Sequence, residues 1–142
     1  MRTSWGCQMP TTSAFVSCGS HSKGQTMGSA LLCLSLAIYH EARGEPDKGM
    51  HAVAEVVINR SKDRNKTICD VVYEPHQFSW TKRHGRNIPK QSEAWLKSQH
   101  IAQQSIKTTT NFTNGSLFFN TKRIGVRFGR SLKAEIGNHV FF

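Results

Sequence analysis

Residues 31–60 carry two successive apolar stripes at helical spacing. In the first, Leu31, Leu34, Ala37, Ile38 and Glu41 fall at i, i+3, i+6, i+7 and i+10, which is one face of a 3.6-residue helix. A carboxylate therefore shares the buried stripe. Gly44, Pro46 and Gly49 interrupt the pattern just beyond it, so Glu41 is expected in the last turn. In the second stripe Met50, Val53, Ala54, Val57 and Ile58 repeat at i, i+3, i+4, i+7 and i+8, and Asn59-Arg60 supplies a cation suited to a helix C-terminus. The few residues between the stripes predict a helical hairpin, with Glu41 and Glu45 at its corner, at the mouth of a cleft.

Further along, Ser92 can cap a third helix bearing Trp95, Ala102, Ser105 and Ile106 near one face, expected to pack on the hairpin. Residues 108–114 are polar and turn-rich, and Leu117-Phe118-Phe119 and His139-Val140-Phe141-Phe142 read as short strands. Residues 61–90, rich in Lys, Arg and His and broken by Pro75, Gly85 and Pro89, read as loop. Residues 1–27 have no sustained period and abundant Ser, Thr and Gly, so they are expected to be a loosely ordered leader, able to drape over the domain through Trp5 or Phe15. Residues 28–142 then form one domain, as the length of 142 residues allows. The apolar run Ala30 to Tyr39 has the length of a signal-peptide core, but cleavage after it would remove or abut Glu41, and it is too short to span a bilayer. It is read as a core helix, with no signal peptide and no stable membrane insertion expected.

The chemistry centres on Glu41. An apolar flank and the negative end of a helix dipole both raise a carboxyl's pKa, and an acid kept protonated near neutral pH can donate to a glycosidic oxygen. The pattern alone favours the plainer reading, in which Glu41 is a helix-end cap or pairs with Arg43 or Arg60. Gln77-Phe78-Ser79-Trp80 sets a side-chain amide beside aromatics, a combination that stacks on sugar faces and bonds N-acetyl groups. Of its aromatics, Phe78 suits the core and Trp80 the cleft. Asn120 stands where it would reach substrate or form a turn, and His139 is expected to be structural. His40-Glu41 lacks the second histidine of H-E-x-x-H, and the four cysteines make no C-x-x-C pair, so neither a metal nor another cofactor is called for. The net charge of +10 attracts polyanions. Lys82, Arg83, His84 and Arg86 would be a nucleic-acid footprint, but no recognised nucleic-acid motif accompanies them, so no nucleic-acid partner is expected.

The stretch from Ala37 to Arg60 resembles the signature of the SleB/CwlJ-type cell wall hydrolases, a family that includes spore-cortex lytic enzymes and related phage endolysins. The resemblance runs on in order through Cys69-Asp70-Val71-Val72-Tyr73, Gln77-Phe78-Ser79-Trp80, Gly115-Ser116-Leu117-Phe118-Phe119-Asn120 and Ile136-Gly137-Asn138-His139-Val140-Phe141-Phe142, covering about residues 30 to 142. It departs at Phe118, where Tyr is more frequent, and in residues 126–131, which lack a tryptophan often found before the last strand. The resemblance implies an α+β fold, a mainly helical lysozyme-like domain with a small antiparallel β-sheet beside the cleft. It implies cleavage of peptidoglycan glycan strands between N-acetylmuramic acid and N-acetylglucosamine by a lytic transglycosylase, with a hydrolytic muramidase or a non-catalytic wall-binding module as alternatives.

Glu41 would be the catalytic acid, and Glu45, Tyr39, Gln77, Trp80, Phe118 and Asn120 would bind substrate. A monomer is expected. With no export signal, the setting implied is an endolysin held in the host cytoplasm until a holin releases it to act on the wall from the periplasm. Cys33 and Cys69 stand where some members carry cysteine. Buried free thiols are the expected cytoplasmic state, with pairing in the periplasm as the alternative.

Overall fold

A computed structural model describes residues 27–142, and the expected leader and its Trp5 and Phe15 lie outside the described residues. Five helices precede a small sheet: α1 (Met27–Ala42), α2 (Asp47–Arg64), α3 (Ile68–Val72), α4 (Trp80–His84), α5 (Glu93–Lys107), β1 (Phe119–Thr121), β2 (Ala134–Ile136) and β3 (His139–Phe141). The architecture is the expected mainly helical α+β arrangement.

Helix α1 is the centre. Six consecutive residues, Cys33, Leu34, Ser35, Leu36, Ala37 and Ile38, are at most 1% exposed, so this helix is covered all round rather than on one stripe. It packs against α2, α3 and α5 together. Each fully buried Leu or Ile contributes about 1.5–3 kcal/mol, and this run holds α1 in place while one of its last residues carries a carboxyl. Ser35, the polar member, donates its hydroxyl to the Leu31 carbonyl at 2.6 Å, which satisfies it within the helix.

The hairpin forms as the stripes predict. Its second helix is longer than expected at both ends: it starts after Pro46, whose fixed φ suits a helix entry, and takes Gly49 into its first turn. It also passes Arg60, because no breaker follows until Asn65, which adopts the left-handed conformation (φ 50°) and caps it. Ser92 caps α5 by accepting the Trp95 N–H at 3.2 Å, and His51 Nδ1 meets Ser105 Oγ at 3.1 Å between α2 and α5.

Residues 61–90 are not one loop. Thr67 caps α3 by accepting the Asp70 N–H, and α4 follows a turn that places Phe78 and Trp80 inside the core. Such five-residue helices carry too little periodicity to show in sequence and exist through tertiary packing. One of those ties is covalent. Cys33 on α1 and Cys69 on α3 form a disulfide (S–S 2.01 Å), the alternative to buried free thiols that the sequence left open: packing of α3 on α1 brings their Cα atoms to 5.3 Å.

The sheet has the order β1-β3-β2, antiparallel throughout, with Phe119 opposite Phe141 and Ile136 opposite His139. Strand β2 went unrecognised in the sequence because it is three residues long and its burial is only partial. The loop before β1 is held by a carboxylate that the periodicity did not single out. Glu55, on α2 and 3% exposed, accepts the N–H groups of Phe112 and Thr113 at 2.9 Å and the hydroxyls of Thr110 and Thr113. Its signal in sequence is a lone acid inside the run Ala52 to Ile58, which only a set of converging donors makes tolerable.

Closing a loop between residues 36 positions apart stabilises a fold by roughly 3–4 kcal/mol on the chain-entropy model. Urea denaturation of the Cys33→Ala/Cys69→Ala variant is expected to show a loss of that order. A midpoint unchanged from the wild type in non-reducing buffer would show that the bridge adds nothing.

Candidate active site

Glu41 lies in the last turn of α1, as its place on the stripe predicts, and is half-buried. Burial raises its pKa above the usual carboxylate value, against the opposing field of Arg60 and a hydrogen-bonding contribution from Trp80. No salt bridge joins it to Arg43 or Arg60 among the described residues. Arg43 turns away, over the Tyr39 ring at 4.8 Å, with a long bond to the Tyr39 carbonyl.

Arg60 comes from α2 and is 4% exposed. Its Nε donates to the Leu117 carbonyl, while its guanidinium lies 5.2 Å from the Phe118 ring centre and 5.7 Å from that of Phe78. Burial, then the nearby Arg64, lowers its pKa to about 10, which leaves it a cation at neutral pH. Its Nη1 has no hydrogen-bond partner among the described residues. A buried cation therefore holds the strand-side backbone and exerts its field on Glu41.

Trp80 is 7% exposed, stacked on His40 at 4.5 Å and on Phe78 at 6.2 Å. Its indole Nε1 is buried without a partner in strict hydrogen-bond geometry, yet it lies near enough to Glu41 to favour the ionised carboxyl. The sequence reading set Trp80 in the cleft for its ring face. The structure instead covers the ring and directs the N–H toward the acid, because α4 folds back onto α1. His40, stacked on both Trp80 and the exposed His84, has its pKa lowered to about 4 by burial and by the charges of His84 and Arg43, so it is neutral at neutral pH.

The second glutamate of the corner, Glu45, reaches across to the sheet. Its Oε2 accepts the Asn138 N–H at 3.0 Å, and its Oε1 lies 3.7 Å from His139 Nδ1, a nitrogen with no hydrogen-bond partner. His139 is 6% exposed and burial lowers its pKa, although Glu45 opposes the shift, which agrees with a structural histidine. Glu45 thus joins the helical corner to the β2–β3 turn. A Cβ on Gly137 would stand 1.9 Å from Glu45 Oε2 and force that side chain to move, and Gly137 has φ +58°, a backbone conformation that favours glycine.

The other expected substrate residues are spread around this centre. Tyr39 is half-buried one residue before His40 and meets Trp95 edge-on at 5.8 Å. Gln77 is half-buried in the turn before α4. Phe118 is half-buried and stacks on Phe142 at 6.0 Å, with the Arg130 guanidinium 4.6 Å from its ring centre on the loop side. Asn120 donates to the Gly125 carbonyl at 3.0 Å, which supports its turn-forming alternative. Sequence reasoning missed Arg60 as a site residue, taking it for a helix-end cation. No group of three or more His, Cys, Asp or Glu among the described residues is arranged to hold a metal ion, and no helix among them is long and apolar enough to cross a membrane.

Five helices centred on the buried middle of α1, with a small antiparallel sheet latched across the corner, have the fold of the SleB catalytic domains. The catalytic domain of the Bacillus cereus SleB protein is similar at a TM-score of 0.70 and 23% identity, covering 87% of this chain and 98% of that one. The catalytic domain of the germination-specific lytic transglycosylase SleB from Bacillus anthracis is similar at 0.68 and 24%, covering 84% and 97%. Residues 44–142 match the cell wall hydrolase family, and the chain belongs to that family. A spore cortex-lytic enzyme of Oceanobacillus iheyensis is 30% identical over 113 residues, 74% of this chain, and the chain spans 38% of that relative's length.

Two outcomes check this geometry. Trp80→Phe removes the N–H that favours ionised Glu41, so the alkaline limb of the pH–activity profile is expected to move to higher pH; a limb that stays put would show that the indole does not act on the acid. Gly137→Ala is expected to cost about 1–3 kcal/mol of stability, read by thermal unfolding, and an unchanged Tm would mean that Glu45 yields without loss.

Proposed function

We propose that this domain cleaves the glycan strands of peptidoglycan as a lytic transglycosylase, with Glu41 as its single acid and base. The observation that supports this most is the division of labour among the buried carboxylates. Glu41 is bound into no backbone contact or salt bridge among the described residues, meets the Trp80 N–H and is held toward its protonated form by burial, whereas Glu45 is committed to the Asn138 N–H and Glu55 to the loop before β1. Hydrolysis with inversion or retention uses two carboxyl groups across the scissile bond. Here one is available.

In the proposed reaction Glu41 donates its proton to the glycosidic oxygen as the bond from that oxygen to C1 of N-acetylmuramic acid breaks. Positive charge develops at C1 and the ring oxygen. The carboxylate just formed then accepts the proton of the same sugar's 6-hydroxyl, whose oxygen bonds to C1 and closes a 1,6-anhydro ring. No water is consumed, and Glu41 ends protonated. Arg60 stabilises the carboxylate between the two proton transfers, and Trp80 does the same through its N–H. Tyr39, Gln77 and Phe118 are the proposed lining for the sugar chain, with Glu45 and Asn120 acting through the turns they hold.

The setting we propose is a lytic enzyme of the endolysin kind, released onto the wall from inside the cell. The Cys33–Cys69 disulfide supports action outside the reducing cytoplasm, and the net charge of +10 favours a wall dense in carboxylates and phosphates.

Mass spectrometry of muropeptides released from purified Gram-negative peptidoglycan tests the reaction. Anhydro ends are expected from the wild type, and Glu41→Gln is expected to fold normally and lose at least about a hundredfold in rate. Reducing N-acetylmuramic acid ends would replace the transglycosylase by a muramidase, and an active, folded Glu41→Gln protein would remove Glu41 from the chemistry. Burying an ionised carboxyl is unfavourable, so the Gln variant should also be the more stable protein once the pH exceeds the unfolded-state pKa of Glu41.

A further inference from the structure

The connection between β1 and β2, residues 122–133, has the sequence Lys-Arg-Ile-Gly-Val-Arg-Phe-Gly-Arg-Ser-Leu-Lys, with five cations and no acid. It also holds three of the large apolar side chains most open to solvent: Phe128 at 72%, Leu132 at 53% and Ile124 at 43% exposure. They recur every four residues between the cations. Among the described residues Lys122 alone of those cations is in a salt bridge, with Glu135 on β2 at 2.7 Å, and Arg130 lies over the Phe118 ring. Arg123, Arg127, Arg130 and Lys133 are all exposed.

The loop is built rather than slack. Gly125 donates to the Thr121 carbonyl at 3.0 Å and accepts from the Asn120 side chain, Arg130 donates to Arg127, and Lys133 donates to the Phe141 carbonyl at 2.8 Å. Phe128 sits at φ 61°, a region that bulky side chains rarely adopt. Its ring rests 5.2 Å from Phe118, and still nearly three-quarters of the residue faces water. A strained backbone that holds an aromatic outward is the reverse of what folding alone favours.

We propose that this loop is a docking surface for an anionic phospholipid bilayer, on which it seats the enzyme peripherally. The cations complement the lipid phosphates, and Phe128, Ile124 and Leu132 enter the interface between headgroups and acyl chains. A nucleic acid would match the charge but offers Ile and Leu no stacking partner. A glycan wall would match the charge through its carboxylates but has no apolar layer in which to bury them. The pairing of exposed aliphatic groups with cations on one ordered loop selects the membrane. The inference does not depend on the role given to Glu41.

The test is sedimentation of the full chain with vesicles of mixed phosphatidylglycerol and phosphatidylcholine, beside vesicles of phosphatidylcholine alone. Binding to the anionic vesicles only is expected. Arg123→Gln/Arg127→Gln should weaken it about 30-fold, at about fivefold per cation, and Ile124→Ser/Phe128→Ser/Leu132→Ser should weaken it at least about tenfold with every charge kept. The Phe128→Trp variant reports directly, through a blue-shifted emission over the wild-type background and quenching by brominated lipid. Failure to bind anionic vesicles, binding indifferent to the apolar triple variant, or an unshifted tryptophan would each overturn the proposal. So would capture of the loop by purified sacculi or DNA in preference to vesicles.

Discussion

Everything in this fold depends on the burial of the middle of α1, Cys33 to Ile38. A helix covered on all sides has no freedom to rotate or slide, because each of Leu34, Leu36, Ala37 and Ile38 already fills its own space in a close-packed interior. The end of such a helix is therefore a rigid mount. Glu41 takes its position from that rigidity, and its raised pKa from the same apolar surroundings. Packing and acidity are here two consequences of one constraint, and the disulfide to α3 adds a covalent tie to it.

Around that mount three polar groups are buried for different reasons. Arg60 holds the Leu117 carbonyl and places a cation beside the acid. Glu55 gathers four donors from the loop ahead of β1, so its desolvation is compensated where it stands. Glu45 spans from the helical corner to the Asn138 N–H and so fixes the sheet relative to the helices. Glu45 and Glu55 thus build the frame, while Glu41 stands at the end of α1 with its pKa raised by burial. His40 and Trp80, stacked flat on each other, seal the side toward α4 without adding a charge.

The two faces of the small sheet region differ in kind. Toward the helices it offers Phe141, buried in the core, with Phe119 and Ile136 packed against it. Away from them, the loop between β1 and β2 displays cations and apolar groups that the fold does not use. Phe118 is the link between the two, with the buried Arg60 on one side and the exposed Arg130 also over its ring.

How much of this was legible beforehand follows from the range of the interactions involved. The hairpin, the capped third helix and the place of Glu41 in a last turn all follow from local periodicity and capping, which act over three or four residues and are written directly in the chain. The carboxyl that would do chemistry was legible because it sits on an apolar stripe and in a recognisable signature. What neighbours it was not. Helices α3 and α4 are too short to announce themselves, and strand β2 is three residues long. Arg60 reads as an ordinary helix-end cation until the Leu117 carbonyl arrives from 57 residues away. Trp80 reads as a surface for sugars until α4 folds its ring onto His40, and Glu45 reads as a second acid until Asn138 meets it across 93 residues. The sequence by itself determined where the acid stands on its helix, because that is a matter of local spacing. Only the tertiary structure decided which groups set its acidity and which carboxylates remained free, because electrostatics and hydrogen bonding depend on distances between residues that the chain keeps far apart until it folds.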